Sequence, residues 1–183
     1  MTANTKGTNR TVNRVLIVSD SHGLTEELTI IKDRHQLQYN IHCGDSELST
    51  SAPQLADYHT VRGNCDWKGE FPNERLIDIG GLRFYITHGH LYGVKSTLMK
   101  LQYRAQEVEA DVICFGHSHI AYAEEIDQKL YLNPGSIRLP KQSVKPSYII
   151  MEWDECNEVH VHFFHINGEK ITNFPYAQKF NLK

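Results

Sequence analysis

Along this chain, short apolar runs stop abruptly at polar residues and alternate with stretches whose apolar positions recur every three or four residues. The stretch "RVLIVSDSHG" (Arg14–Gly23) opens with Val15, Leu16, Ile17 and Val18. Four β-formers in succession predict a central strand buried on both faces. It ends at Asp20 and His22, with Gly23 for the turn. Leu24, Leu28 and Ile31 then fall at i, i+4 and i+7, one stripe of a helix. "YNIHCGD" follows as a second strand ending at Asp45, which makes a strand–helix–strand unit.

The alternation continues. "DYHTVRGNCD" is a short run ending at Gly63 and Asn64. "RLIDIGGLRFYITHGH" predicts two strands joined at Gly80–Gly81, a hairpin signal, and the second strand ends at His88. Val94, Leu98, Leu101, Ala105 and Val108 share a helical face, and "DVICFGHSH" is the next strand. "KLYLNPGS", "SYIIMEWD" and "EVHVHFFHI" predict three more. An α/β first half and a strand-rich second half predict two packed sheets with helices outside.

Bulk properties add limits. A chain of 183 residues suits one domain, and a net charge of -3 with 40% hydrophobic residues is ordinary for a globular protein. The start, "MTANTKGTNRTVN", is polar and without an apolar leader core, so residues 1–13 are expected as a flexible tail and 14–183 as a single domain. No apolar run approaches the ~18 residues of a membrane span. The absence of a long basic stretch argues against nucleic acid as partner. Cys43, Cys65, Cys114 and Cys156 form no CxxC pair, so reduced thiols and a cytoplasmic location are expected.

Chemistry enters at the strand ends. In open α/β sheets, ligands bind beyond the carboxyl ends of the strands. Those ends here carry, in order, Asp20 and His22, Asp45, Asn64, His88, and His117 with His119. Singly, an aspartate at a strand end is usually a cap and an asparagine after glycine a turn residue. Together, two carboxylates and four imidazoles converging at one place need a cation to balance them. Seven side chains exceed the positions one transition metal fills, so two ions fit better, as in hydrolytic pairs ~3.5–4 Å apart. A nitrogen-and-oxygen set without thiolate suits Mn²⁺, Fe²⁺, Ni²⁺ or Zn²⁺, with Mn²⁺ the first expectation.

The motifs "DSH", "GD", "GNCD", "HGH" and "GHSH", in this order, resemble the five signatures of the calcineurin-like metallophosphoesterases. The length, "RGNCD" and "NPGS" (Asn133–Ser136) resemble the small single-domain bacterial and archaeal branch of the YfcE and YsnB type. The resemblance implies a four-layer α/β/β/α sandwich of two mixed sheets flanked by helices. It implies that Asp20, His22 and His119 bind one ion, that Asn64, His88 and His117 bind the other, and that Asp45 bridges both. It further implies a phosphodiesterase in which a bridging hydroxide attacks phosphorus in line, with Asn64 also donating its amide to a phosphate oxygen. Larger relatives carry His after the Asn as proton donor; here the position is Cys65, a poorer donor with an ordinary pKa near ~8.5. His90 and Asp66 are the candidates left for the general acid, with a metal-bound water as the alternative, and good leaving groups such as aryl esters should be preferred.

Other features have plainer readings. His160 and His162 alternate with Val159, Val161 and Phe163, which predicts the polar face of a strand. His42 and Cys43 are expected as packing, "NPGS" as a turn bordering the site, and Arg62 either as a phosphate-steering cation or as a surface ion pair. The competing functions are a protein-binding scaffold like the retromer subunit of this fold, a nuclease, and a dinucleoside polyphosphate hydrolase. Relatives in the branch form dimers or tetramers, which makes a homo-oligomer an expectation as well.

Overall fold

A computed structural model describes residues 11–67, 70–141, 145–156, 158–176 and 178–182. The first ten residues of the expected tail lie outside that set. The first strand, β1 (Asn13–Val18), starts one residue before the anticipated boundary, because Asn13 already pairs with Trp153. The chain continues through α1 (Glu26–His35), β2 (Tyr39–His42), β3 (Tyr58–Thr60), β4 (Glu74–Ile79) and β5 (Leu82–Thr87). Then come α2 (Met99–Glu107), β6 (Val112–Cys114), β7 (Ala121–Ile126), β8 (Lys129–Pro134), β9 (Ser147–Trp153), β10 (Glu158–His165) and β11 (Lys179–Asn181).

Two mixed sheets form. One has the order β11-β10-β9-β1-β2-β3, with β1, β2 and β3 parallel; the other runs β4-β5-β6-β8-β7, with β5, β6 and β8 parallel. The alternation of side chains along β1 explains how the sheets stack. Val15 and Ile17 enter a core shared with Phe84, Ile86, Val112 and Leu132 of the other sheet. Leu16 and Val18 face the opposite way, onto Leu28 and Ile31 of α1. On the far side, Tyr85, Ile113 and Tyr131 pack on Leu101 and Ala105 of α2. The layers are therefore helix, sheet, sheet, helix, as expected, and β1 is buried on both faces.

Gly80 and Gly81 close the β4–β5 hairpin with φ of 52° and 85°, the two positive values a tight primed turn demands. Both helices are shorter than their apolar stripes. Leu24 precedes α1, and Val94, Leu98 and Val108 flank α2, yet all four pack against the same clusters from loop positions. The pattern thus marks burial rather than helix extent. β7 and β11 were not anticipated; both lie at sheet edges, where exposed Glu124, Glu125 and Lys179 blur the alternation. On β10, Val159, Val161 and Phe163 are buried while His160 and His162 lie on the other face, as read from sequence.

Candidate metal centre

Strand ends from both sheets meet at one edge of the sandwich. The loops after β1, β2 and β3 supply Asp20, His22, Asp45 and Asn64, and those after β5 and β6 supply His88, His117 and His119. Main-chain bonds fasten them together. Asp20 N–H donates to the Gly44 carbonyl at 3.0 Å, His22 N–H to the Asp45 carbonyl at 3.0 Å, and Gly116 N–H to the His88 carbonyl at 3.1 Å. Two glycines permit this closeness. A Cβ on Gly63 would stand 1.9 Å from Asp45 Oδ1, and one on Gly116 would stand 2.0 Å from Ser19 Oγ.

The backbone is unusual where the ligand candidates lie. Asp20, His22, Asp45, His117 and His119 have φ between 44° and 65°, a region non-glycine residues seldom enter. Such conformations cost of order 1–3 kcal/mol each and persist where the surroundings impose them.

Each carboxylate anchors one oxygen and presents the other. Asp20 Oδ2 accepts from Ser19 Oγ at 2.5 Å and from His117 N–H at 3.2 Å. Its Oδ1 faces His119 Nε2 at 3.0 Å, with His22 Nε2 and His88 Nε2 each at 4.0 Å. Asp45 Oδ1 accepts from Cys65 N–H at 2.7 Å, and Oδ2 lies 3.2 Å from His88 Nε2. Despite these short distances, buried Asp20 Oδ1, His22 Nε2 and His88 Nε2 have no hydrogen-bond partner. The imidazole nitrogens crowd the carboxylate oxygens at ion-pair distance without hydrogen-bond geometry.

Their other ring nitrogens are tethered. His22 Nδ1 lies 2.7 Å from Glu47 Oε1, His88 Nδ1 2.7 Å from the Cys43 carbonyl, and His119 Nδ1 2.7 Å from the Leu139 carbonyl. An acceptor at Nδ1 holds the proton there and leaves the Nε2 lone pair free toward the interior. Among the described residues, three groups of potential donor atoms lie within 4.8 Å of one another: Asp20, His22 and His119; Asp20, Asp45 and His88; and His22, Glu47 and Cys65. Ring centroids place His22 5.3 Å from His119 and His88 5.1 Å from His117, while neither His117 nor Asn64 belongs to one of those groups. Asn64 is exposed beside them, its amide donating to Cys65 Sγ at 3.2 Å.

Charge explains the electrostatics. Burial alone would raise the Asp20 and Asp45 carboxyls, but His119 and His88 hold both below the ordinary carboxylate value. In return Asp20 holds His119 above its ordinary value, against burial, and Asp45 with Asp20 does so for His88, where burial is the strongest opposing influence. Burial, then His88 and Lys95, push His117 down to about 4. Burial and then Asp45 push the Cys65 thiol up to about 11. Neither buried carboxylate has a Lys or Arg ion pair among the described residues. The pocket therefore draws positive charge, either as protons on imidazoles or as cations.

The remaining sequence candidates resolve in different ways. His90 lies close, its ring 5.4 Å from His88 and 6.1 Å from His117, with Nδ1 buried and unpartnered. Asp66 has no free oxygen. Oδ2 accepts the N–H groups of Asp45 (2.8 Å) and Gly63 (2.7 Å), while Oδ1 accepts Glu47 N–H (2.7 Å) and Ser46 Oγ (3.1 Å). "NPGS" borders the site as expected: Ser136 Oγ donates to the Asp20 carbonyl at 2.8 Å, and Asn133 Nδ2 to the Gly116 carbonyl at 2.9 Å. His42 is packing, bonded at both nitrogens by Ser21 Oγ and Gly44 N–H. Sequence reading missed Glu47, whose only cue was its position two residues after Asp45, and the tethering carbonyls of Cys43 and Leu139, which leave no mark in side-chain identity.

Known proteins resemble this chain in sequence and in fold. Residues 14–156 match the calcineurin-like phosphoesterase superfamily domain. A probable metallophosphoesterase of Bacillus subtilis (strain 168), YsnB, is 50% identical over 161 residues, covering 87% of this chain and 95% of that protein. A probable metallophosphoesterase of Mycoplasma genitalium is 32% identical, covering 82% of this chain and 95% of that one. Among solved structures, a predicted phosphoesterase from Streptococcus pneumoniae TIGR4 superposes with a TM-score of 0.87 at 29% identity, covering 93% and 98%. Vacuolar protein sorting 29 from Cryptosporidium parvum shares the fold, with a TM-score of 0.77 at 19% identity over 93% and 98% of the chains. On its sequence match and on the fold that carries it, the chain belongs to the calcineurin-like phosphoesterase superfamily.

Proposed function

We propose that the chain is a metal-dependent phosphodiesterase whose ligands are Asp20, His22 and His119 for one divalent ion and Asn64, His88 and His117 for a second, with Asp45 serving both. The observation that carries this reading is the set of buried donor atoms without partners, Asp20 Oδ1, His22 Nε2 and His88 Nε2, on side chains whose opposite atoms are tethered. Donors this deep are normally satisfied, because an orphaned one costs roughly 1–3 kcal/mol. Divalent cations would take up these atoms, Asp20 Oδ1 and His22 Nε2 with one and His88 Nε2 with the other, so the residues present fit the group that the superfamily implies.

Bound there, divalent ions supply Lewis acidity, lowering the pKa of a water and drawing charge from phosphate oxygens. The chain itself does the rest. Asn64 offers an exposed amide donor to a phosphate oxygen at the mouth of the site. Asp20 and Asp45 keep the interior anionic enough to hold cations, and the Nδ1 tethers keep the imidazoles from turning away. His90 is the imidazole beside the ligand set that is not assigned to an ion, and we assign it the proton for the departing alkoxide; burial and then His88 hold its pKa below the ordinary value, so it carries that proton in a falling share as pH rises. Cys65 takes no part in that transfer. Asp66, whose oxygens are spent on four donors, acts as a clamp that sets Asp45 and Gly63 in register.

The test is reconstitution of metal-stripped protein with Mn²⁺, Fe²⁺, Ni²⁺ or Zn²⁺ singly, assayed on mono- and diesters, with Asp45→Asn as control. Turnover of diesters that returns with an ion and is lost in the control supports the reading. The fold is also that of vacuolar protein sorting 29 proteins, and protein that takes up no divalent ion and cleaves no ester would favour a docking role instead.

A further inference from the structure

Beside the ligand constellation lies a second concave surface, a cavity of about 480 Å³, inside the size range of small-molecule sites. It lies against the loop that carries His117 and His119, although none of the seven ligand candidates lines it. Ser118, between His117 and His119 in the chain, forms part of its lining, and so does Lys141, whose N–H donates to the His119 carbonyl at 3.1 Å. The walls are apolar, with Leu98, Ile120, Tyr122 and Tyr176. Tyr122 and Tyr176 meet edge to face at 5.1 Å, and Phe115 joins the row at 6.2 Å from Tyr122. Two exposed cations, Lys95 and Lys141, line the same cavity, and neither has an ion-pair partner among the described residues.

Nothing in phosphate binding or hydrolysis needs an aromatic row. A phosphate group is polar throughout and gains nothing from Leu98 or Ile120. An open apolar surface next to a reaction centre is matched by an apolar part of the substrate, and unpaired cations at its edge by an anionic part.

Resting on the phosphodiesterase reading above, we infer that this cavity seats an aromatic, anion-bearing arm of the phosphate ester. Leu98, Ile120, Tyr122 and Tyr176 hold the ring, and Lys95 and Lys141 hold its anionic substituent. The cavity thereby selects the substrate by the alcohol it carries, while the ligand residues select the phosphate.

Non-hydrolysable probes test this by calorimetry on the metal-reconstituted full chain, using methylphosphonate, phenylphosphonate and 4-carboxyphenylphosphonate. Burying a phenyl ring is expected to tighten binding roughly 10- to 100-fold over methyl, from the usual gain for an apolar side chain. The carboxylate should tighten it again. Ile120→Trp, which fills the cavity, should collapse the phenyl-to-methyl ratio toward one, and Tyr176→Ala should lower it. Lys95→Ala combined with Lys141→Ala should remove the carboxylate gain and keep the phenyl gain. Equal affinities for all three probes, or ratios that survive Ile120→Trp in a variant that melts as the parent does, would overturn the inference and leave the phosphodiesterase reading standing. No binding of any probe together with no ester cleavage would remove that reading and the inference with it.

Discussion

Replacing Asp66 by Asn separates two roles that the sequence left open. As a clamp, the carboxylate receives four donors, two on each oxygen. An asparagine amide keeps one accepting oxygen and turns the other position into an NH₂ group. Whichever way it flips, two donors lose their acceptor and face a second donor. At about 1–3 kcal/mol for each buried group left unsatisfied, the loss is about 2–6 kcal/mol, a large part of the ~5–15 kcal/mol a domain possesses. The assay is urea unfolding of metal-free parent and variant at neutral pH, followed by steady-state kinetics of the reconstituted proteins on aryl and alkyl diesters. We expect a lower unfolding midpoint and turnover reduced by the same factor for both esters, because the displaced Asp45 and Gly63 loops spoil the centre for every substrate. An unchanged midpoint with selective loss of alkyl-ester cleavage would show that Asp66 gives up a proton, and the clamp argument would be wrong.

Three further outcomes are expected. Glu47→Ala removes the carboxylate held 2.7 Å from His22 Nδ1, so divalent-ion affinity should fall about 10- to 100-fold by titration, and unchanged affinity would deny the tether a role. His42 is fully buried and, mainly through burial, its pKa is pushed down to about 4 from 6.5, so the fold holds it neutral. That contribution is whole above pH 6.5 and is lost as pH falls toward 4, up to roughly 3 kcal/mol. Urea midpoints of parent and His42→Gln should therefore converge as pH drops through that window, and parallel curves would contradict the assignment. Finally, Cys65→His should raise alkyl-ester turnover relative to aryl-ester turnover; a ratio equal to the parent's would show that no proton donor is missing at that position.

Much of the molecule was legible before the fold was known. The β1–α1–β2 unit, the Gly80–Gly81 hairpin and the inner and outer faces of β10 follow from local periodicity, which depends only on the geometry of a strand or helix. The candidate ligands were visible too, since polar residues that close apolar runs must emerge at strand ends. Helix limits were less legible, because half-buried Leu24 and buried Val94 pack from loops and a stripe of burial does not say which backbone carries it. The short edge strands β7 and β11 escaped notice for want of a two-sided apolar pattern.

What the amino-acid order determined by itself is the identity and sequence of the strand-end groups, together with the apolar alternation that makes two sheets bury each other. Only the tertiary structure decided that the ends of β1, β2 and β3 face those of β5 and β6. It alone decided that Glu47 and two main-chain carbonyls tether the imidazoles, and that Asp66 is spent on its neighbours. The physical reason is range. Periodicity records what each residue does to its own strand or helix, whereas a ligand cage and its tethers are contacts between segments up to a hundred residues apart, set by sheet order and loop conformation.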